Sequence, residues 1–224
     1  MTVYLTQRDI DRLSKKQKKF SKESEMKREF DFVYNISKID GNKLIKKEIE
    51  QIFHGHKTTH SNDSYDIENL KKCFYQIFSH KGKLTKNFIL SLHKILFRNI
   101  DDKHAGKLRD HNVEIYGGHH LPPDWELVET AIDKMIQWYN ESIEELRHPF
   151  EIATIFHLKF VSWHPFFDGN GRIANLLMNY ILIKNKLPLM IVDFKKVHKY
   201  FHVLEHCQLE NIEVDFVDWM HENY

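Results

Sequence analysis

Apolar residues recur along this chain at helical spacing almost from end to end, and polar breaks divide them into segments. Residues 5–35 read as charged helical sequence, and helices follow at 43–53, 65–79 and 85–98, the last with Thr85 as N-cap. Asp124, after Pro122-Pro123, is read as the cap of a helix of about 16 residues. Further helices are predicted at 149–162, 171–184, 195–208 and 213–222. Only Asn112-Val113-Glu114-Ile115-Tyr116 alternates as a strand does, and it ends at Gly117-Gly118, which predicts a small β-hairpin or flap. The class is all-α: a helical bundle with one small β-hairpin flap.

Two of these helices are apolar nearly all round. The first carries Phe150, Ile152, Ile155, Phe156, Leu158 and Phe160; the second carries Ile173, Leu176, Leu177, Tyr180, Ile181 and Leu182. Helices of that kind are buried on several sides, so the pair is read as the centre of the domain.

Composition narrows the picture. A chain of 224 residues can bury one continuous core without staples. Lys and Arg total 33 against 32 Asp and Glu, a net charge of +1, which predicts neither a nucleic-acid partner nor a membrane surface. Two cysteines, Cys73 and Cys207, exclude a disulfide framework. With no long apolar run and no signal-like N-terminus, the expected location is cytoplasmic. The basic run at 15–19 is read as a solvated face.

Between the two apolar helices lies His164-Pro165-Phe166-Phe167-Asp168-Gly169-Asn170-Gly171-Arg172. Polar groups set against an apolar wall need partners, and a ligand can supply some of them. Gly169, Asn170 and Gly171 lead into a helix N-terminus, where backbone N–H groups and the helix dipole favour an anion such as phosphate. Arg172 can add a bidentate contact, Asp168 is a hard oxygen ligand suited to Mg2+ beside phosphates, and His164 can serve as general base. These are the parts needed for phosphoryl or nucleotidyl transfer. The plainer alternative is an N-capping loop with a structural histidine and an Arg–Asp pair.

The segment resembles the signature of the Fic (filamentation induced by cAMP) family, HPF-x-(D/E)-GNGR-x-x-R. The resemblance extends to residues 89–96 ahead of the flap, to 106–118 as the flap, to His120, Pro122 and Pro123 after it, and to 200–219 at the close. It implies a Mg2+-dependent nucleotidyltransferase that moves AMP from ATP to a Ser, Thr or Tyr hydroxyl of a target protein. His164 would be the base, and Asp168 would hold Mg2+. Gly169, Asn170 and Gly171 would form the anion hole, and Arg172 would bind phosphate. Val113, Glu114, Ile115, Tyr116 and Gly117 of the flap (about 109–119) would bind a target segment as an added strand. The implied organisation is an N-terminal charged helical extension over 1–28 and a single domain over 29–224. A homodimer is left open.

Two positions depart from the family pattern. Asn175 stands where the signature has its second arginine, a γ-phosphate contact, so it is carried as a nucleotide-site position. Asp40-Gly41-Asn42 ends a segment, 29–42, that resembles the autoinhibitory helix of some members, with Asp40 where a glutamate is usual. In the family those two groups pair, so with Asn175 there is no cation to attract Asp40, and inhibition through that pair is expected to be weak or absent. The departures keep two alternatives alive: a silent nucleotide- or protein-binding module, and an enzyme using another phosphate-containing donor. Among the 16 histidines, His198, His202 and His206 share one helix face but are too far apart to close round one metal, and His157 is read as a core histidine.

Overall fold

The structure, a computed structural model, describes residues 4–15, 22–56 and 60–224. Among these, ten α-helices follow one another: α1 Gln7–Lys15, α2 Lys22–Ile39, α3 Lys46–Phe53, α4 Asn62–Ser79, α5 Lys86–Leu96, α6 Val128–Glu144, α7 Pro149–Trp163, α8 Asn170–Lys184, α9 Val197–Glu210 and α10 Val214–Asn223. The expectation of one helix over 5–35 becomes α1 and α2, and 16–21 between them, with most of the basic run, lies outside the described residues.

Helices α7 and α8 form the central pair, packed on each other along their length. Every residue from Arg172 to Leu182 is buried, as are Phe150 to Leu158, which is why both sequences lack a polar face. Helices α2, α4 and α5 pack against α8, while α6, α9 and α10 pack against α7. Leu5 and Leu13 join the same core, and the Tyr4 N–H donates to buried Glu151 at 3.2 Å, which ties the N-terminal segment to this body.

Local chemistry sets several helix ends. Thr85 caps α5 by accepting from Phe88 N–H at 3.2 Å. Pro149 occupies the first turn of α7, where its missing N–H is harmless. Helix α2 stops in a Schellman turn: Gly41 takes φ +90°, its N–H donates to Lys38 O, and Asn42 N–H donates to Ser37 O.

Two expectations are corrected. No strand exists among the described residues: 112–115 is extended, with Val113 and Ile115 turned inward and Asn112, Glu114 and Tyr116 outward, but no second arm pairs with it. Its polar groups go elsewhere, with Asn112 Nδ2 donating to Asp124 Oδ1 and His119 N–H donating to Glu205 Oε1. Alternation reports a two-faced extended segment, and pairing needs a partner that the sequence pattern cannot supply. Asp124, for its part, does not cap α6. Its carboxylate is held by Asn112, and a short 3-10 turn at Trp125–Leu127 leads into the helix instead.

Candidate active site

The α7–α8 junction begins at His164, which terminates α7 in the left-handed region at φ 48°, ψ 59°. Its Nδ1–H donates to the Val161 carbonyl at 3.2 Å, which assigns the proton to Nδ1 and leaves the lone pair on Nε2. Burial pushes its pKa down, helped by Arg109 and His120 and opposed by the Val161 carbonyl and Asp168, so the imidazole is neutral at pH 7 with its lone pair available.

Behind it, Phe166 is fully buried, and Asn170 closes the loop. Asn170 Nδ2 donates to Phe166 O and its Oδ1 accepts from Phe166 N–H, both at 2.8 Å. The side-chain amide of Asn170 is therefore spent on the loop, and only its main chain faces the helix end. Gly169 sits at φ +75°, and a Cβ there would lie 2.5 Å from the buried ring of Phe97, so glycine is required twice over. Gly171 is different: a Cβ would meet nothing within 4 Å, so this face of the helix N-terminus is open to a ligand.

His93, on α5, was not singled out by the sequence. It is 1% exposed, stacks on Phe166 at 3.8 Å, accepts from Gly106 N–H at 2.9 Å and donates to Asp168 O at 3.2 Å. Burial pushes its pKa down to about 4. A neutral ring with both nitrogens used is a rivet between the loop and the 106 turn.

Arg172 and Asp168 define the charge of the site. Asp168 is 69% exposed, with Oδ1 accepting from Gly169 N–H at 2.5 Å. Arg172 is buried, with Nη1 2.6 Å from Asp66 Oδ1, Nη2 3.4 Å from Asp168 Oδ1 and its guanidinium over the Phe97 ring. Its Nε lies 2.8 Å from Asp40 Oδ2, a charge contact outside hydrogen-bond alignment. Burial disfavours the guanidinium, but Asp40, Asp66 and Asp168 overrule it and hold its pKa above the ordinary value. The expectation that Asp40 finds no cation is thus overturned. Arg172 stands one turn before Asn175 on α8, and the α2 terminus reaches it directly. Asn42 fastens the arrangement by donating to Asp66 Oδ2 at 3.2 Å and to Asp63 O at 2.9 Å. Gly41 contributes the turn that aims Asp40. Burial pushes the Asp40 carboxyl up to about 7, against the pull of Arg172.

Asn175 points into the core. It is 4% exposed and donates to Gly171 O at 2.9 Å and to the Tyr200 hydroxyl, which lies 2.7 Å from His157 Nε2. Burial raises the Tyr200 pKa and lowers that of His157 to about 4, so this network is neutral. On the outer side of the junction, Tyr116 at the tip of 112–117 is fully exposed, and Gly117 has φ +75° with open space around it. Arg109 roots that segment, while Phe167 packs on His104 and His111 at the mouth. Farther off, His206 pairs with Asp215 at 3.4 Å on α9 and α10. Asp66 is a further contributor the sequence left unmarked, and Arg109 was marked only as part of the flap, since neither lies in a motif with chemistry of its own.

This geometry has relatives. Residues 83–182 match the model of the Fic/DOC family. The protein named protein adenylyltransferase Fic of Drosophila ananassae is 28% identical over 182 residues, which cover 79% of this chain and 36% of that protein. The protein of the same name from Nematostella vectensis is also 28% identical, over 78% of this chain and 42% of its own length. The chain thus spans well under half the length of these curated relatives. Among solved structures, a Fic-domain signalling protein of Bacteroides thetaiotaomicron superposes with a TM-score of 0.86 at 21% identity, covering 96% of this chain and 93% of that one. Fic-1 of C. elegans superposes at 0.83 and 23% identity, over 96% of this chain and 67% of its own. At such identities the structural likeness speaks for the fold.

Proposed function

We propose that this protein is a protein adenylyltransferase, transferring AMP from ATP to a side-chain hydroxyl of a target protein. The observation that carries the reading is the His164 imidazole, with its Nε2 lone pair free at the lip of an open helix N-terminus that also bears Arg172. In the reaction the target oxygen bonds to the α-phosphorus, its proton passes to His164 Nε2, and the bond to pyrophosphate breaks. The N–H groups of Asn170 and Gly171 donate to phosphate oxygens, while that of Gly169 is held by Asp168, and Arg172 offsets the phosphate charge. The relatives named adenylyltransferases support the same chemistry.

A Mg2+ ion fits the residues present in one way only. Asp168 offers a single exposed carboxylate with one oxygen uncommitted, which suits an ion bound by one protein ligand and substrate phosphates. No group of three ligating side chains exists among the described residues, so an all-protein cage does not fit. When bound there, the ion supplies charge neutralisation for the phosphates.

The exposed segment 112–117 fits the role of a landing strip for the target, since its backbone has no strand partner. One structural neighbour is a Fic protein in complex with adenylylated Cdc42, so a protein substrate is in keeping with the fold. In the resting arrangement Asp40 and Asp66 occupy Arg172, so phosphate must compete with Asp40 for it. That contact is a built-in restraint on nucleotide binding. The neutral network around Asn175 favours a second reading, a donor with weaker demand for a cation there than ATP.

Intact mass spectrometry after incubation with ATP and Mg2+, beside His164→Ala, tests the proposal. A mass gain matching AMP in the parent and its loss in the variant are expected. Gain that survives His164→Ala overturns the base assignment, and gain seen only with another nucleotide moves the reading to that donor.

A further inference from the structure

Arg109 is the second buried guanidinium beside the site, 2% exposed, and its hydrogen bonds go to carbonyl and amide oxygens. Its Nε donates to His164 O at 2.9 Å, and its main-chain N–H donates to Pro165 O at 3.0 Å. Nη1 donates to His111 O at 3.1 Å and Asn112 Oδ1 at 3.5 Å. Nη2 donates to Pro123 O and, at 3.5 Å, to Trp163 O. One side chain therefore binds the catalytic loop, the root of the extended segment and the turn after it.

Two features make this more than packing. His164 sits in the left-handed region, which residues with a Cβ occupy only when their surroundings insist. Arg109 takes the carbonyls of His164 and of Pro165, clasping the strained residue from its C-terminal side. A buried cation without a bonded counter-ion is also costly to keep, and burial lowers its pKa with only Asp124 opposing. The imidazole of His164 faces Arg109, Asp168 and His120, with the Val161 carbonyl on Nδ1.

We propose that Arg109 is a positioning residue of this site: it holds His164 in its left-handed turn and aligns the target-binding segment to the same carbonyls. This rests on the reading of His164 as base.

The experiment follows the His164 imidazole by side-chain NMR across pH in the full chain, its signals assigned by their loss in His164→Ala, with the rate of AMP transfer measured alongside. In Arg109→Gln, which removes the charge, the His164 midpoint moves upward and the rate at pH 7 falls about 10- to 100-fold, as misplacement of a reacting group does. In Arg109→Lys, which keeps the charge but not the fork, the midpoint stays near that of the parent. The rate falls there too, in kcat more than in KM, and the Nδ1–H tautomer gives way to a mixture. A pure Nδ1–H tautomer with the parent's rate in folded Arg109→Gln overturns the proposal. Should Arg109→Gln not fold, Arg109→Lys decides: a pure Nδ1–H tautomer with the parent's rate overturns it. If the parent transfers nothing from ATP, the adenylyltransferase reading fails, and the tautomer still decides the role of Arg109.

Discussion

Replacing Asp40 by asparagine keeps the shape of the side chain and removes its charge, which asks whether burial or attraction to Arg172 governs this carboxylate. Its pKa of about 7 lies about 3 units above the ordinary 3.8, so burial outweighs the pull of a guanidinium 2.8 Å away. At about 1.4 kcal/mol per unit, the difference amounts to roughly 4 kcal/mol at most. The folded state holds this proton more tightly than the unfolded one. The stability it contributes is therefore complete below pH about 4 and is lost as pH rises through about 7. Between pH 5 and pH 8 the loss is roughly 2–3 kcal/mol in the parent and absent in Asp40→Asn. Urea titration of the two proteins at each pH cancels every other titrating group. With a slope of about 3 kcal/mol per molar, the midpoint of the variant should gain on the parent by about 0.7–1 M from pH 5 to pH 8. Arg172 is not stranded in the variant, because Asp66 remains 2.6 Å from Nη1. A constant difference between the proteins would refute the reasoning. A variant that loses ground as pH rises would show that the ion pair, and not burial, dominates.

Other perturbations follow from the loop. Gly169→Ala places a Cβ 2.5 Å from the Phe97 ring at φ +75°; strain and overpacking together cost about 2–4 kcal/mol, read as a lower melting temperature. Asn170→Ala strands the buried N–H and carbonyl of Phe166, costing about 2–4 kcal/mol, and lowers nucleotide affinity by loosening the turn, measured by calorimetry. His164→Ala leaves the melting temperature within a few degrees of the parent while abolishing transfer, since the side chain makes one local bond, to Val161 O.

Much of the bundle and the centre of the site are legible in the sequence because they are local. The all-round apolar character of 149–162 and 171–184 follows from burial on every side, and the nine residues between them carry their own turn chemistry. Thr85 as a cap and Gly41 at a helix end are equally short-range, decided by neighbours within one turn. The extended segment at 112–115 marks the limit of such reasoning: its alternation reports which side chains face inward and says nothing of a partner strand.

What only the tertiary structure decided is where each charge ends. Arg172 is held by carboxylates from the ends of α2 and α4, Asp40 and Asp66, although the expected pairing looked to position 175. Asn175 turns inward to Tyr200, Arg109 finds the carbonyl of His164, and His93 rivets Asp168 to the 106 turn. Periodicity and capping rules act over a few residues, whereas these partners lie far apart in the chain. A buried charge takes whichever counter-ion the packed helices bring within reach, and that proximity is a property of the assembled core, not of any segment.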